Sequence, residues 1–289
     1  MRRFDFTNGT AVVTGAAGGI GAALAHGLAR RGSALVLVDR DAGRLDAVAA
    51  EIRATGGPVA THLVDLADPA ATALLATEIR DRHPRIRLLV NNAGVALGGR
   101  FDEVTLDEFS WVVDVNFRAV AQLTHALLPA LKAEPGAHLV TISSLFGLIA
   151  PPGQVAYAAS KFAVRGFTEA LRHELAADGI GVTCVHPGGI RTRIARDARV
   201  GSGVVDRAGH DAARQRFERL LTIDPATAAE RILRGVARRR SRVLVGGSAR
   251  LLDLLARIAP VGHGRLLRLA GRQVDDRQPR AAAPARTPV

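Results

Sequence analysis

The sequence predicts an α/β fold: a doubly wound parallel sheet of seven strands with helices on both faces, followed by amphipathic helices at the C-terminal end. Three observations carry this expectation. Short β-rich runs alternate with longer amphipathic stretches, as in a parallel sheet wrapped by helices. The runs are apolar almost throughout, as strands covered on both faces require. The first run leads through a cluster of glycines directly into a helix.

In chain order, residues 10–14, 34–38, 59–64, 88–91, 137–143, 182–186 and 242–245 read as strands. Helices are predicted over 20–31, 42–54, 69–82, 106–132, 155–177 and 226–238. Gly32 and Gly179 stand where helices stop, and Asp68-Pro69 marks a helix start. The domain reading is one catalytic domain over 1–247 with a mobile lid near 193–221. A basic amphipathic helical extension follows over 248–274, and then a Pro-, Ala- and Arg-rich tail over 275–289 that is expected to be disordered.

A chain of 289 residues, 48% hydrophobic and 23% charged, can bury a full core. One cysteine, Cys184, excludes an intramolecular disulfide and fits a reducing, cytoplasmic compartment. Arg2 and Arg3 are followed by Asp5 and no apolar segment, so no secretory signal is expected. The uncharged stretch 139–160 is broken by Pro151, Pro152 and Gly153, which argues against a membrane span. Of the net charge of +12, residues 191–289 hold +13 and the first 190 hold −1. That distribution argues against a nucleic-acid enzyme and for an appended basic surface.

Gly15-Ala16-Ala17-Gly18-Gly19-Ile20-Gly21 follows the first strand and opens the first helix. Missing side chains let the backbone approach a pyrophosphate, and the helix N-terminus attracts it. The spacing is Gly-x-x-x-Gly-x-Gly, and a tight packing turn is the alternative. Asp39 ends the second strand, where a carboxylate can accept ribose hydroxyls and repel a 2′-phosphate. On that ground NAD ranks above NADP, although Arg40 beside Asp39 could instead hold that phosphate. Asp65 either reaches an adenine amine or serves as a turn aspartate.

Tyr157 is the only tyrosine, and Lys161, four residues on, is one of two lysines among 39 basic residues. On a helix the pair shares one face. A fixed ammonium there is expected to lower the phenol's pKa and make it a proton donor or acceptor near neutral pH. A surface contact one helical turn long is the competing reading.

Together these residues resemble the short-chain dehydrogenase/reductase family, over roughly residues 7–192. Thr14-Gly15-x-x-x-Gly19-x-Gly21 is similar to its cofactor loop, and Asn91-Asn92-Ala93-Gly94 to its motif after the fourth strand. Asn116 matches its relay asparagine, Ser144 lies 13 residues before Tyr157 as in the family, and Tyr157-Ala158-Ala159-Ser160-Lys161 resembles its catalytic helix. The segment Pro187-Gly188-Gly189-Ile190-Arg191-Thr192 resembles the stretch that touches the nicotinamide.

The resemblance implies a Rossmann-type fold and hydride transfer between a nicotinamide cofactor and a carbonyl or alcohol. Tyr157 would be the acid or base, and Ser144 would hold the substrate oxygen. Lys161 would tune Tyr157 and bind ribose, while Asn116 would organise a water linking Lys161 to solvent. The cofactor contacts it implies are Gly15, Gly19, Ile20, Gly21, Asp39, Arg40, Asp65, Leu66, Asn92, Ala93, Gly94, Tyr157, Lys161, Pro187, Gly188, Ile190 and Thr192. It also implies a homodimer or homotetramer paired through 106–132 and 155–177.

No metal is expected. Ala177 stands where a second histidine would follow His173-Glu174, and the nine histidines lack ligand spacing. No nucleophile elbow surrounds Ser143 or Ser144. The almost wholly apolar residues 145–156 suggest a lipophilic substrate of steroid, retinoid or long-chain type; packing beneath a lid is the alternative. Segments 248–259 and 265–272 are basic and amphipathic, fit for an anionic membrane surface, or for covering the cleft or a subunit contact. A non-catalytic cofactor-binding regulator and an epimerase or dehydratase stay open as other functions.

Overall fold

The structure is a computed structural model that describes residues 3–7, 9–262 and 264. The strands are β1 (Thr10–Thr14), β2 (Ala34–Asp39), β3 (Val59–Leu63), β4 (Leu88–Asn91), β5 (Leu97–Gly98), β6 (His138–Ile142), β7 (Gly181–Pro187), β8 (Arg199–Val200) and β9 (Arg242–Val245). The helices are α1 (Gly19–Ala29), α2 (Ala42–Ala54), α3 (Pro69–Arg82), α4 (Leu106–Val113), α5 (Ala119–Lys132), α6 (Val155–Glu174), α7 (Arg207–Arg219), α8 (Pro225–Ala237) and α9 (Gly247–Ile258).

Seven strands form one parallel sheet in the order β3-β2-β1-β4-β6-β7-β9. The expected doubly wound architecture is therefore the one present. Successive side chains leave a strand on opposite faces. Val13, Leu35 and Leu37 accordingly join Leu24 and Leu28 of α1 and Ile232 and Leu233 of α8 in one core layer. Val12, Val36 and Val38 join Leu75 and Ile79 of α3 and Leu123 and Leu127 of α5 in the other. Chain order reverses between β1 and β4, and a crevice opens at such a switch point beyond the carboxyl ends of the strands.

Helix starts follow their capping residues. Asp41 accepts the Arg44 N–H at 3.0 Å, and Asp68 accepts those of Ala70 and Ala71 at 2.8 and 3.1 Å. Thr105 and Glu108 form a reciprocal capping box at α4.

Two features differ from expectation, and part of the C-terminal reading lies outside the described residues. The helix predicted over 106–132 is interrupted by a π-helical turn, Asp114–Arg118, that carries Asn116. Segment 193–221 contains α7 and the strand β8, which pairs with β5. It is thus a structured cover, with Leu97 aligned to Arg199 and Gly98 to Val200. Of the predicted C-terminal helices, the first is α9; the segment 265–272 and the tail 275–289 lie outside the described residues. Among the described residues, no helix is long and apolar enough to cross a membrane.

Candidate active site

A cleft of about 720 Å³ runs along the carboxyl edge of the sheet, from Asp39 and Arg40 at one end past Tyr157 and Lys161. Its floor is the turn between β1 and α1. Gly15 has φ +66°, and a Cβ there would stand 2.8 Å from the Ala93 backbone. A Cβ on Gly18 would meet nothing within 4 Å, so this position is an open cradle. No side chain caps α1 and its first turn holds no acid, which leaves its N–H groups to a ligand.

Two expected cofactor positions are turned elsewhere. A Cβ on Gly21 would overlap the Gly15 carbonyl oxygen, so Gly21 closes the turn and does not line the cleft. A Cβ on Gly188 would lie 2.9 Å from Ser248 Oγ and 3.2 Å from Ala249, so Gly188 seats α9. Its neighbour Gly189 lines the cleft in its place. Gly19, Ile20, Leu66, Asn92, Ala93, Gly94, Pro187, Ile190 and Thr192 all face the cleft.

Thr14 and Asn92 fasten the two strand ends together. Thr14 Oγ1 accepts the N–H groups of Asn92 and Ala93 at 3.0 Å, while Asn92 Nδ2 donates to the Thr14 carbonyl at 2.9 Å and that of Gly15 at 3.1 Å. At the far end, Asp39 Oδ2 accepts the Ala17 N–H at 2.9 Å, and Oδ1 accepts those of Arg40 and Asp41 at 2.7 and 3.1 Å. Arg40 leans toward Asp65 at 3.9 Å. Asp65 lines the cleft, and its Oδ1 accepts the Ala67 N–H at 3.0 Å as a turn aspartate does.

At the other end, Ser144 leaves β6 and Tyr157 and Lys161 rise from α6. Tyr157, Ser144 and Lys161 all line the cleft, and the Ser144 side chain lies close enough to the Tyr157 phenol to act on its pKa. Ser144 Oγ accepts the Phe146 N–H at 3.1 Å, and its carbonyl accepts His186 Nδ1–H at 3.1 Å. Lys161 is buried, donates to the Ile142 carbonyl at 3.1 Å, and lies 5.7 Å from the Tyr157 ring centre. Burial drives its pKa down to about 8.

The phenol departs from expectation. Burial raises its pKa, and the neighbouring Ser144 side chain opposes this only in part. The lowering expected from Lys161 is not what sets the direction; removal of the ring from water is.

Asn116 is fully buried outside the cleft lining. Its Oδ1 accepts the Val95 N–H at 2.8 Å, and Nδ2 donates to the Val95 carbonyl and to Ser160 Oγ, both at 3.0 Å. Ser160 in turn donates to the Tyr157 carbonyl at 2.8 Å. The amide is thus engaged by protein groups, and it braces Tyr157 through Ser160.

Sequence reasoning did not resolve the cover. His210, Ala213, Arg214, Phe217 and Leu221 line the cleft. The Phe217 ring lies 6.1 Å from Phe146, which is 6.1 Å edge-on from Tyr157. The spacing of Ala213, Phe217 and Leu221, four residues apart, was the available signal.

A short chain dehydrogenase family model matches residues 9–202. The oxidoreductase SadH of Mycobacterium tuberculosis is 41% identical over 266 residues, covering 91% of this chain and 95% of its own. The chain belongs to the short-chain dehydrogenase/reductase family. Solved structures agree. A short-chain dehydrogenase/reductase from Burkholderia phymatum in complex with NAD superposes with a TM-score of 0.78 at 28% identity, covering 98% of this chain and 99% of that one. A short-chain dehydrogenase from Sphingobium yanoikuyae in complex with NADPH gives 0.72 at 30% identity, covering 95% and 98%.

As a member of this family the protein is a nicotinamide-dependent oxidoreductase acting on CH–OH groups. The cleft fits such a dinucleotide. The open cradle at Gly18 and the uncapped α1 N-terminus suit its pyrophosphate, and the Asp39 carboxylate suits its ribose.

Proposed function

We propose that this short-chain dehydrogenase/reductase interconverts a lipophilic secondary alcohol and its ketone, or a long-chain alcohol and its aldehyde, using NAD in preference to NADP. The observation that carries the reading is the convergence of Ser144, Tyr157 and Lys161 on the inner end of an apolar cleft. The bound nicotinamide would supply or remove the hydride. Ser144, braced by Phe146 and His186, holds the substrate oxygen. Tyr157 gives that oxygen a proton in reduction and removes one in oxidation. Lys161, beneath the ring, holds positive charge that favours the phenolate as it forms.

Leu145, Phe146, Pro151, Pro152, Phe217 and Leu221 line the substrate side, which supports a hydrophobic body beside the reacting oxygen. Asp39 supports NAD, because a fixed anion at this end opposes a 2′-phosphate, and Arg40 is drawn toward Asp65. The test is nicotinamide absorbance with either cofactor against a panel of hydrophobic alcohols and ketones. Turnover of bulky apolar substrates with NAD is expected. Turnover confined to small polar alcohols would overturn the substrate class. Substrate rearranged or dehydrated without net change in cofactor would overturn the redox assignment.

A further inference from the structure

We propose that the outer face of α9 docks the protein on an anionic lipid surface. Leu251, Leu254, Ile258 and Val261 are 67, 55, 73 and 88% exposed. Steps of three, four and three residues put them on one stripe along the helix and its exit. Of the other large exposed apolar residues, Leu63, Leu74, Phe101 and Val205 come from separate elements. Scattered single residues need no explanation, but a contiguous stripe does.

Charge chooses the occupant. Arg250 and Arg257 run along one side of the stripe and are exposed. The only acid in α9, Asp253, is turned inward, 14% exposed, where Arg242 and Arg257 engage it. The following residues 263–289 add six arginines against two aspartates. An apolar stripe with arginines along one border matches acyl chains below and phosphate headgroups beside them. A second copy fits poorly, since a twofold contact would bring the same arginines face to face.

The helix is also well placed. It packs on β9 and on the turn at Leu145–Gly147 that walls the substrate side. Docking through α9 would therefore hold the cleft near the phase into which apolar alcohols partition. The proposal itself stands whatever the substrate, because its readout is lipid binding.

The experiment is flotation of the full chain with phosphatidylcholine vesicles, with or without about 30% phosphatidylglycerol. Anionic vesicles are expected to carry roughly tenfold more protein than neutral ones, with the excess lost at high salt. Leu254→Glu with Ile258→Glu is expected to reduce flotation about tenfold, with the thermal transition retained. Arg250→Gln, a single exposed replacement, is expected to weaken it about two- to fivefold and provides a reading independent of the double variant. Equal flotation on neutral vesicles, or wild-type flotation of both variants, would overturn the proposal. So would a halved mass of the double variant in light scattering without any lipid binding, which would make the stripe a subunit contact.

Discussion

Lys161 holds its ammonium 5.7 Å from the centre of the Tyr157 ring, tethered to the Ile142 carbonyl. Burial disfavours the charged form of both, pushing Lys161 down to about 8 and Tyr157 up. At neutral pH the free enzyme therefore keeps a neutral phenol over a charged amine, the arrangement required for proton donation.

The buried ammonium has a consequence for stability. The folded value of about 8 lies below the ordinary 10.5, so the unfolded chain binds more protons between those limits. Stability from this group therefore rises as pH climbs from about 8 to 10.5. Lys161→Met lacks the rise. The stability difference between wild type and Lys161→Met, from urea unfolding, is expected to move by roughly 3 kcal/mol in favour of wild type between pH 7 and 10.5. Comparing the two proteins cancels the other titrating groups. A pH-independent difference would refute the assignment.

Tyr157→Phe removes one oxygen and keeps the ring against Phe146. Turnover is expected to fall by at least about 100-fold, while NADH affinity, followed by fluorescence titration, changes by less than about threefold. Ser144→Ala should show a smaller loss, with a raised KM. Turnover within a few-fold of wild type for Tyr157→Phe would remove the proton-transfer role.

Asp39 binds three backbone N–H groups and lines the cleft at once. Asp39→Asn removes the anion and leaves an oxygen to accept some of those bonds. The ratio of kcat/KM for NAD to that for NADP is expected to fall about tenfold or more. An additional Arg40→Ala change should then weaken NADP. An unchanged ratio in Asp39→Asn would mean that the carboxylate does not select the cofactor.

Much of this was legible in the sequence because it rests on local pattern. The seven main strands follow from continuous apolar runs, and α3 begins at Asp68-Pro69 as its caps dictate. The pieces that were not legible depend on partners distant in sequence. Strands β5 and β8 have two residues each and exist only because Leu97 and Arg199 meet. Helix α7 buries none of its own residues fully, so its arginine-rich pattern resembles a solvated loop. The π turn at Asn116 interrupts the stretch 106–128, which holds no Gly or Pro to mark it. The positions of Gly21 and Gly188 were set by what packs against them, Gly15 and α9, which no motif spacing reveals. The direction of the Tyr157 shift required its burial, a tertiary quantity.

The aromatic contact across the cleft gives a test of the cover. Phe217 faces Phe146 from α7 and is 39% exposed, so its replacement should leave the core intact. Phe217→Ala is expected to raise KM about tenfold for long apolar substrates, by loss of roughly 1–2 kcal/mol of apolar contact. It should leave KM for short alcohols within about twofold. Equal effects on both lengths, in steady-state kinetics, would mean that Phe217 does not touch the substrate body.

Acid sensitivity follows from His186. The ring is fully buried, Nδ1–H donates to the Ser144 carbonyl, and Nε2 has no partner. A second proton would charge a nitrogen with no acceptor. Burial, with Arg242 and Arg165 nearby and only partly offset by the Ser144 bond and Asp253, lowers its pKa to about 4. The unfolded chain takes up that proton near 6.5, so stability is lost as pH falls from about 6.5 to 4. His186→Gln keeps an N–H to offer Ser144 and cannot titrate. Its stability at pH 7 should be similar or slightly lower, but its loss between pH 7 and 4.5 should be smaller than that of wild type by roughly 2 kcal/mol. The slope is the readout, which separates titration from any packing cost. Parallel slopes would show that His186 titrates alike in the folded and unfolded chain, which would refute the lowering by burial.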